Sequence, residues 1–298
     1  MFRKKKKQKT PRAARERKRV DPATLARRRK IKHFTLGLMV SATVALGLIL
    51  GLALLREQMA PPISEVVLVD VPEWLDDSAA EQIRQAALEV VRDNAGDDRL
   101  AQKVAKKLAE NIWVKGIAPA GVVSNYDNRN LTIRCEYRRP LAVVSGPGVL
   151  VRVDREALVL PGRFLRSGVP AGKYREIVGV KSDPPEAGQM WNAPDLLAGV
   201  DLLRLIDDRP FAREITAVDV SNYRGRQNVA RPHIVMTTDQ QSRINWGKAI
   251  GMEGRIEAHY KTKLQNLEGL FLRYGSLNKL VYADLRGQKV GVKEREGE

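Results

Sequence analysis

The chain has 298 residues, and its 52 lysines and arginines exceed its 35 acidic residues to give a net charge of +17. Residues 1–33 hold 16 of the basic side chains and only two acidic ones, which leaves 36 basic and 33 acidic groups elsewhere. A globular nucleic-acid-binding domain spreads positive charge over a folded face, so this distribution argues against one. The aromatic content of 5% also argues against stacking platforms for single strands.

The first 33 residues form a basic arm, which is poor in hydrophobic residues and is therefore predicted to be disordered. Its clustered cations either contact anionic lipid headgroups, at about 1 kcal/mol per charge, or only set membrane topology. Both interpretations explain the clusters equally well. The candidate lipid or topology residues are Lys4, Lys5, Lys6, Lys7, Arg27, Arg28, Arg29 and Lys30.

Residues 34–55 form an uncharged apolar stretch of 22 residues, which predicts a single transmembrane helix. The apolar region of a cleaved signal peptide is shorter, about 7–15 residues, so we favour an uncleaved anchor. The basic arm then predicts a cytoplasmic N-terminus and an extracytoplasmic body on the cytoplasmic (inner) membrane. Gly47 and Gly51 have the spacing of close-packed membrane helices, although this spacing is frequent by chance.

After a linker over 56–62, the pattern predicts a small α+β domain over 63–140. A strand over 63–69 precedes a helix in which Ser78 and Glu81 have the spacing of a capping box. A second helix then begins near Asp97. Strands follow over 116–125 and 131–138, so the order is strand, helix, helix, strand, strand.

Beyond Pro140 the pattern predicts a mainly antiparallel β-domain over 141–293 with flanking helices, followed by a tail over 294–298. One helix is expected near 194–207, with Pro194 in its first turn. A longer helix is expected over 255–274, with Ile256 on its apolar stripe and Gly275 at its end. The complete prediction is therefore an α+β protein with one transmembrane helix.

No catalytic or metal-binding motif is visible in the sequence. His33, His233 and His259 are far apart, and the lone Cys135 lies on the apolar side of a predicted strand. Without a zinc-binding or phosphate-binding signature, we expect no metal, no cofactor and no enzymatic activity.

Several segments together resemble the FtsQ/DivIB family of bacterial cell-division proteins. The similarity covers nearly the whole chain in its order of arm, apolar helix, α+β domain and β-domain. The final matching stretch, Tyr282-Ala283-Asp284-Leu285-Arg286, is similar to an I-D-L-R motif of that family. The matching segments are 111–114, 131–142, 151–160, 244–248 and 282–286.

The resemblance implies a POTRA domain at 63–140 and a β-domain that receives the small bitopic proteins FtsB and FtsL. It implies a scaffold at the division site, without catalysis. A terminal strand at a sheet edge can pair with an incoming chain, whereas an interior strand needs no partner. The predicted partner-binding residues are Leu280, Tyr282, Asp284, Leu285, Arg286, Val290 and Val292.

Three other functions remain open at this point. Another POTRA-bearing assembly or secretion component would share the first domain. An anchored cell-wall hydrolase would need two carboxylates about 5–10 Å apart in a cleft. A tethered nucleic-acid binder would use the arm and show salt-dependent affinity.

Overall fold

The computed structural model describes residues 39, 41–51, 63–94, 97–125, 127–145, 149–165 and 174–296. The chain divides into two compact units, Met1–Pro61 and Pro62–Glu298. The basic arm over 1–33 and the linker over 56–62 lie outside the described residues.

The structure contradicts the transmembrane prediction. In the first unit, residues 41–51 form helix α1. Helical geometry gives this stretch a length of about 16 Å, whereas a hydrocarbon core is about 30 Å thick. In the described part of the chain no helix is both long and apolar enough to cross a membrane, so the fold-class prediction was wrong on this point. Apart from Met39, the remaining residues of 34–55 lie outside the described part.

The second unit begins with a three-stranded mixed sheet of order β1-β3-β2, covered by two helices. Its central strand, β3, is parallel to β1 and antiparallel to β2. Ile83, Val104 and Ile133 are fully buried between the helices and the sheet. The elements are β1 (Glu65–Leu68), α2 (Asp77–Asp93), α3 (Leu100–Ala109), β2 (Val114–Asn125) and β3 (Asn130–Tyr137).

The predicted capping box at Ser78 was wrong. Helix α2 begins at Asp77, so Asp76 is its N-cap, and no side chain caps the helix. Ser78 therefore lies inside the first turn, and Glu81 instead accepts hydrogen bonds from side chains one turn further along.

The rest of the unit forms a nine-stranded sheet of order β12-β11-β10-β9-β8-β7-β4-β5-β6. Helices α4 and α5 accompany it, and Pro194 stands in the first turn of α4 as predicted. The elements are β4 (Ala142–Ser145), β5 (Leu150–Val153), β6 (Val159–Phe164), β7 (Arg175–Val178), α4 (Pro194–Ile206), β8 (Ile215–Asp219), β9 (Ile234–Thr238), β10 (Arg243–Gly247), α5 (Tyr260–Tyr274), β11 (Leu280–Asp284) and β12 (Gly291–Glu294).

The large sheet is mixed: five of its eight strand pairings are antiparallel, in line with the predicted mainly antiparallel β-domain, and three are parallel. Strand β7 is parallel to both β4 and β8, and β10 is parallel to β11. Parallel neighbours need a crossover connection. Helix α4 lies in the connection from β7 to β8, and helix α5 lies in the connection from β10 to β11. The fold is therefore α+β with two mixed sheets.

The two sheets make direct contacts within the second unit. Leu160 of β6 packs into the core of the three-stranded sheet. Arg152 of β5 is nearly buried and donates a 2.7 Å hydrogen bond to Asp76, at the start of α2. Because both sheets belong to one compact unit, the boundary predicted at Pro140 stays a prediction.

Candidate partner-binding edge

The two edges of the nine-stranded sheet differ in how well their backbone groups are covered. At the β6 edge, Val159 donates to the Gln189 carbonyl at 3.0 Å and accepts from Gly188 at 2.8 Å. At the opposite edge, β12 pairs only with β11 among the strands that the structure describes. Unpaired groups at a sheet edge are a template for an added strand. The β12 edge is therefore the candidate interface.

The orientation of β12 shows which amides face outward. The Arg295 amide donates to the Lys279 carbonyl at 2.8 Å, across the β11–β12 pair. Backbone direction alternates along an antiparallel strand, so the Lys293 amide also faces β11. The amides of Val292 and Glu294 then face the open side, where an incoming strand would accept hydrogen bonds from them.

Strand β11 supports this edge from behind and adds exposed apolar surface. Leu280 and Ala283 are fully buried, whereas Val281 and Tyr282 are 39% and 38% exposed. The pairing of β11 with β12 shifts register between Leu280 and Tyr282. Such an irregularity breaks the alternation of buried and exposed residues, which is why two successive apolar side chains reach the surface.

Asp284 and Arg286 neutralise each other at the end of β11. The Arg286 guanidinium donates to both carboxylate oxygens, at 2.7 Å from Nη2 to Oδ2 and 3.0 Å from Nε to Oδ1. Its Nη1 also donates to the Ala230 carbonyl at 2.9 Å. Burial tends to raise the pKa of Asp284, but the hydrogen bonds from Arg286 lower the pKa overall. This pair fixes the shape of the surface at the end of the strand.

A shallow depression of about 490 Å³ lies between this ion pair and the start of β12. Ile256 lines it and is 89% exposed, which is a large apolar exposure for an isoleucine. The sequence placed Ile256 on the buried stripe of a helix, and this was wrong because α5 begins only at Tyr260. Gly254 adopts a left-handed φ of 67° just before it, which is incompatible with a regular helix there.

The predicted partner-binding residues fall into two groups. Leu280 and Leu285 are completely buried and support the edge from the core. Tyr282, Asp284 and Arg286 reach the surface beside β12. Val290 and Val292 are partly buried and pack against the same core.

The structure does not test the predicted contacts of the two glycines and the basic arm. Gly47 and Gly51 lie in α1, where an added Cβ atom would have no neighbour within 4 Å, so their role in helix packing stays a prediction. Lys4–Lys7 and Arg27–Lys30, which were predicted to contact lipid, lie outside the described residues.

No group of three or more potential metal ligands occurs among the side chains that the structure describes. His233 is partly buried, and this burial lowers its pKa. No protein-family model matches the chain, and no curated protein matches it.

Proposed function

We propose that the protein is a non-enzymatic scaffold of the bacterial cell-division machinery that binds a partner polypeptide by strand addition at β12. The observation that carries the proposal is the contrast between the open β12 edge and the β6 edge of the same sheet, which the chain covers at Val159. The resemblance to FtsQ/DivIB proteins supplies the biological setting and the kind of partner, a small protein of the FtsB or FtsL type.

Main-chain hydrogen bonds to an added strand provide affinity, and the side chains around the edge provide selectivity. Tyr282, Val281 and Ile256 are exposed apolar side chains near this edge, and in the proposal they contact the added strand. A few interface residues supply most of the binding energy of a complex, and tyrosine is enriched among them.

Residues 289–296 along the same edge carry three basic and two acidic side chains, so the small excess of positive charge favours a partner strand with acidic residues. Lys293 lies in β12 and Lys289 in the preceding turn, and both are exposed. A lysine on an edge strand discourages pairing with a second copy of the same edge, because like charges would then face each other. It attracts a partner of opposite charge.

The proposal is tested by titrating the full chain with the FtsB-type protein encoded in the same genome, using calorimetry. We expect Tyr282→Ala to weaken binding by about tenfold, since truncated interface aromatics often cost more than 1 kcal/mol. Leu272→Ala is the matched control, because Leu272 is 80% exposed on α5 and outside the proposed edge. Equal affinity of the Tyr282 variant and the parent protein would contradict the proposed interface.

The charge pair gives a second test of the same surface. Asp284→Arg leaves two cations side by side and should weaken binding. The double variant Asp284→Arg/Arg286→Asp can re-form the ion pair with its direction reversed. We expect the double variant to fold like the parent protein, as judged by circular dichroism, and to bind the partner more weakly. Full recovery of binding would show that only the pair, and not its direction, matters.

A further inference from the structure

A second concave site lies on the same compact unit, away from the β12 edge. It is a cleft of about 500 Å³, within the size range of small-ligand sites. Trp74 precedes α2, and Arg139 stands in the connection between the two sheets. Arg213 lies just before β8. The cleft is therefore built where the two sheets meet.

The cleft has more basic than acidic side chains, and one carboxylate holds two of its arginines in position. Arg155 and Arg175 donate to the two oxygens of Asp207, at 2.6 and 3.0 Å. Asp207 is 13% exposed, so the ion pairs orient both guanidinium groups from the wall of the cleft. Each guanidinium has five N–H donors, and these contacts occupy only some of them.

Two further arginines line the cleft without a carboxylate partner of their own. Arg139 and Arg213 are exposed, and neither forms an ion pair with the residues that the structure describes. The lining includes one more carboxylate, that of Asp239. Four guanidinium groups and two carboxylates give the described lining a net charge of +2.

We propose that this cleft binds a phosphate-bearing small molecule, with its phosphate group held by Arg139 and Arg213. The planar guanidinium forms paired hydrogen bonds with phosphate oxygens, and the charge of +2 matches a phosphate dianion. The half-buried ring of Trp74 gives the cleft an aromatic wall for the less polar part of the ligand. This site is independent of the strand edge and involves none of its residues.

The position of Trp74 provides a direct optical test. The other three tryptophans, Trp113, Trp191 and Trp246, are at most 3% exposed. Inorganic pyrophosphate, added to the full chain, should therefore change the fluorescence of Trp74 above all. The signal should saturate, and it should be lost in Trp74→Phe.

Substitution of the arginines tests the placement of the phosphate. We expect Arg139→Gln and Arg213→Gln each to weaken pyrophosphate binding by about tenfold, the value for one lost charged hydrogen bond. Arg213→Lys keeps the charge but not the paired donors, so it should also weaken binding. Arg204→Gln is the matched control, because Arg204 is 52% exposed on α4 and is not part of the cleft.

The remaining outcomes decide the source and the chemistry of the ligand. If vesicles containing phosphatidic acid bind and pyrophosphate displaces them, the phosphate group of a lipid occupies the cleft. If pyrophosphate binds but does not affect vesicle binding, the cleft takes a free phosphate compound and the vesicles contact another part of the chain, such as the basic arm. The proposal would be overturned by unchanged affinity in both glutamine variants, by citrate binding as tightly as pyrophosphate, or by no saturation at millimolar pyrophosphate.

Discussion

Arg152 joins the two sheets of the second unit, and its replacement is expected to destabilise the protein strongly. Its guanidinium carbon lies 4.8 Å from the ring centre of Trp113 and 4.7 Å from that of Phe164. Its Nη1 donates to Asp76 at 2.7 Å, and its Nη2 donates to the Pro161 carbonyl at 2.8 Å. The side chain is only 6% exposed, so an alanine would leave a cavity and two acceptors without their donor.

The magnitude follows from these contacts. Removing one member of a buried ion pair costs about 3–5 kcal/mol, and a contact with an aromatic ring adds about 0.5–2 kcal/mol. Asp76 is 37% exposed and regains water, which reduces the total. We therefore expect Arg152→Ala to lower the free energy of unfolding by about 3 kcal/mol.

Urea unfolding followed by tryptophan fluorescence measures this loss. Arg152→Met keeps most of the side-chain volume and should be less destabilising than Arg152→Ala. The difference between the two variants separates the contribution of packing from that of the charge. Arg163→Ala is the matched control, since Arg163 lies on β6, is 58% exposed, and should change stability by less than about 0.5 kcal/mol. A loss below about 1 kcal/mol for Arg152→Ala would refute the role of this arginine in joining the sheets.

Three further predictions concern stability, and urea unfolding tests each of them. Lys263 is fully buried and pairs with Glu257 at 2.9 Å, so Lys263→Met should cost about 3 kcal/mol, because the Glu257 carboxylate, only 13% exposed, loses its cation and keeps only the hydrogen bond from the Lys248 amide; a neutral result would contradict this. Gly179 has a φ of 82°, and an added Cβ would lie 2.6 Å from the backbone of Ser221, so Gly179→Ala should cost about 2 kcal/mol or more. Gly269 lies in α5, where an added Cβ would meet no atom within 4 Å, so Gly269→Ala should stabilise the protein by about 0.5–1 kcal/mol. Burial lowers the pKa of His233 below 6.5, so the folded state disfavours the charged form of its side chain. The free energy of unfolding should therefore decrease as the pH falls from 6.5 towards the lower pKa of the folded state. His233→Gln should weaken this dependence of stability on pH.

Features with local signals were predicted well from the sequence. Pro194 predicted the start of α4, and Gly275, with a φ of 75°, ends α5 as expected. The three strands predicted before Pro140 lie within two residues of their predicted positions, because alternation and turn residues are local patterns. The predicted start of α5 at residue 255 was too early. The apolar spacing of the helix extends several residues upstream of its true first residue, Tyr260.

Features that depend on distant residues were not predictable in the same way. A strand pattern does not identify its partner, so the parallel pairing of β10 with β11 was missed. The exposure of Tyr282 depends on a register shift in the pairing of β11 with β12, although its place in the candidate site was predicted. Arg139 and Arg213 are separated by more than 70 residues, and only the fold brings them to one cleft.

The central claim is that a partner adds a strand to β12, and hydrogen–deuterium exchange tests it most directly. The full chain is compared with and without a saturating amount of the FtsB-type protein. Strand addition predicts that the outward-facing amides of Val292 and Glu294 exchange at least about tenfold more slowly in the complex, while the covered amide of Val159 at the β6 edge does not change. Saturating binding without slower exchange in β12 would contradict the claim.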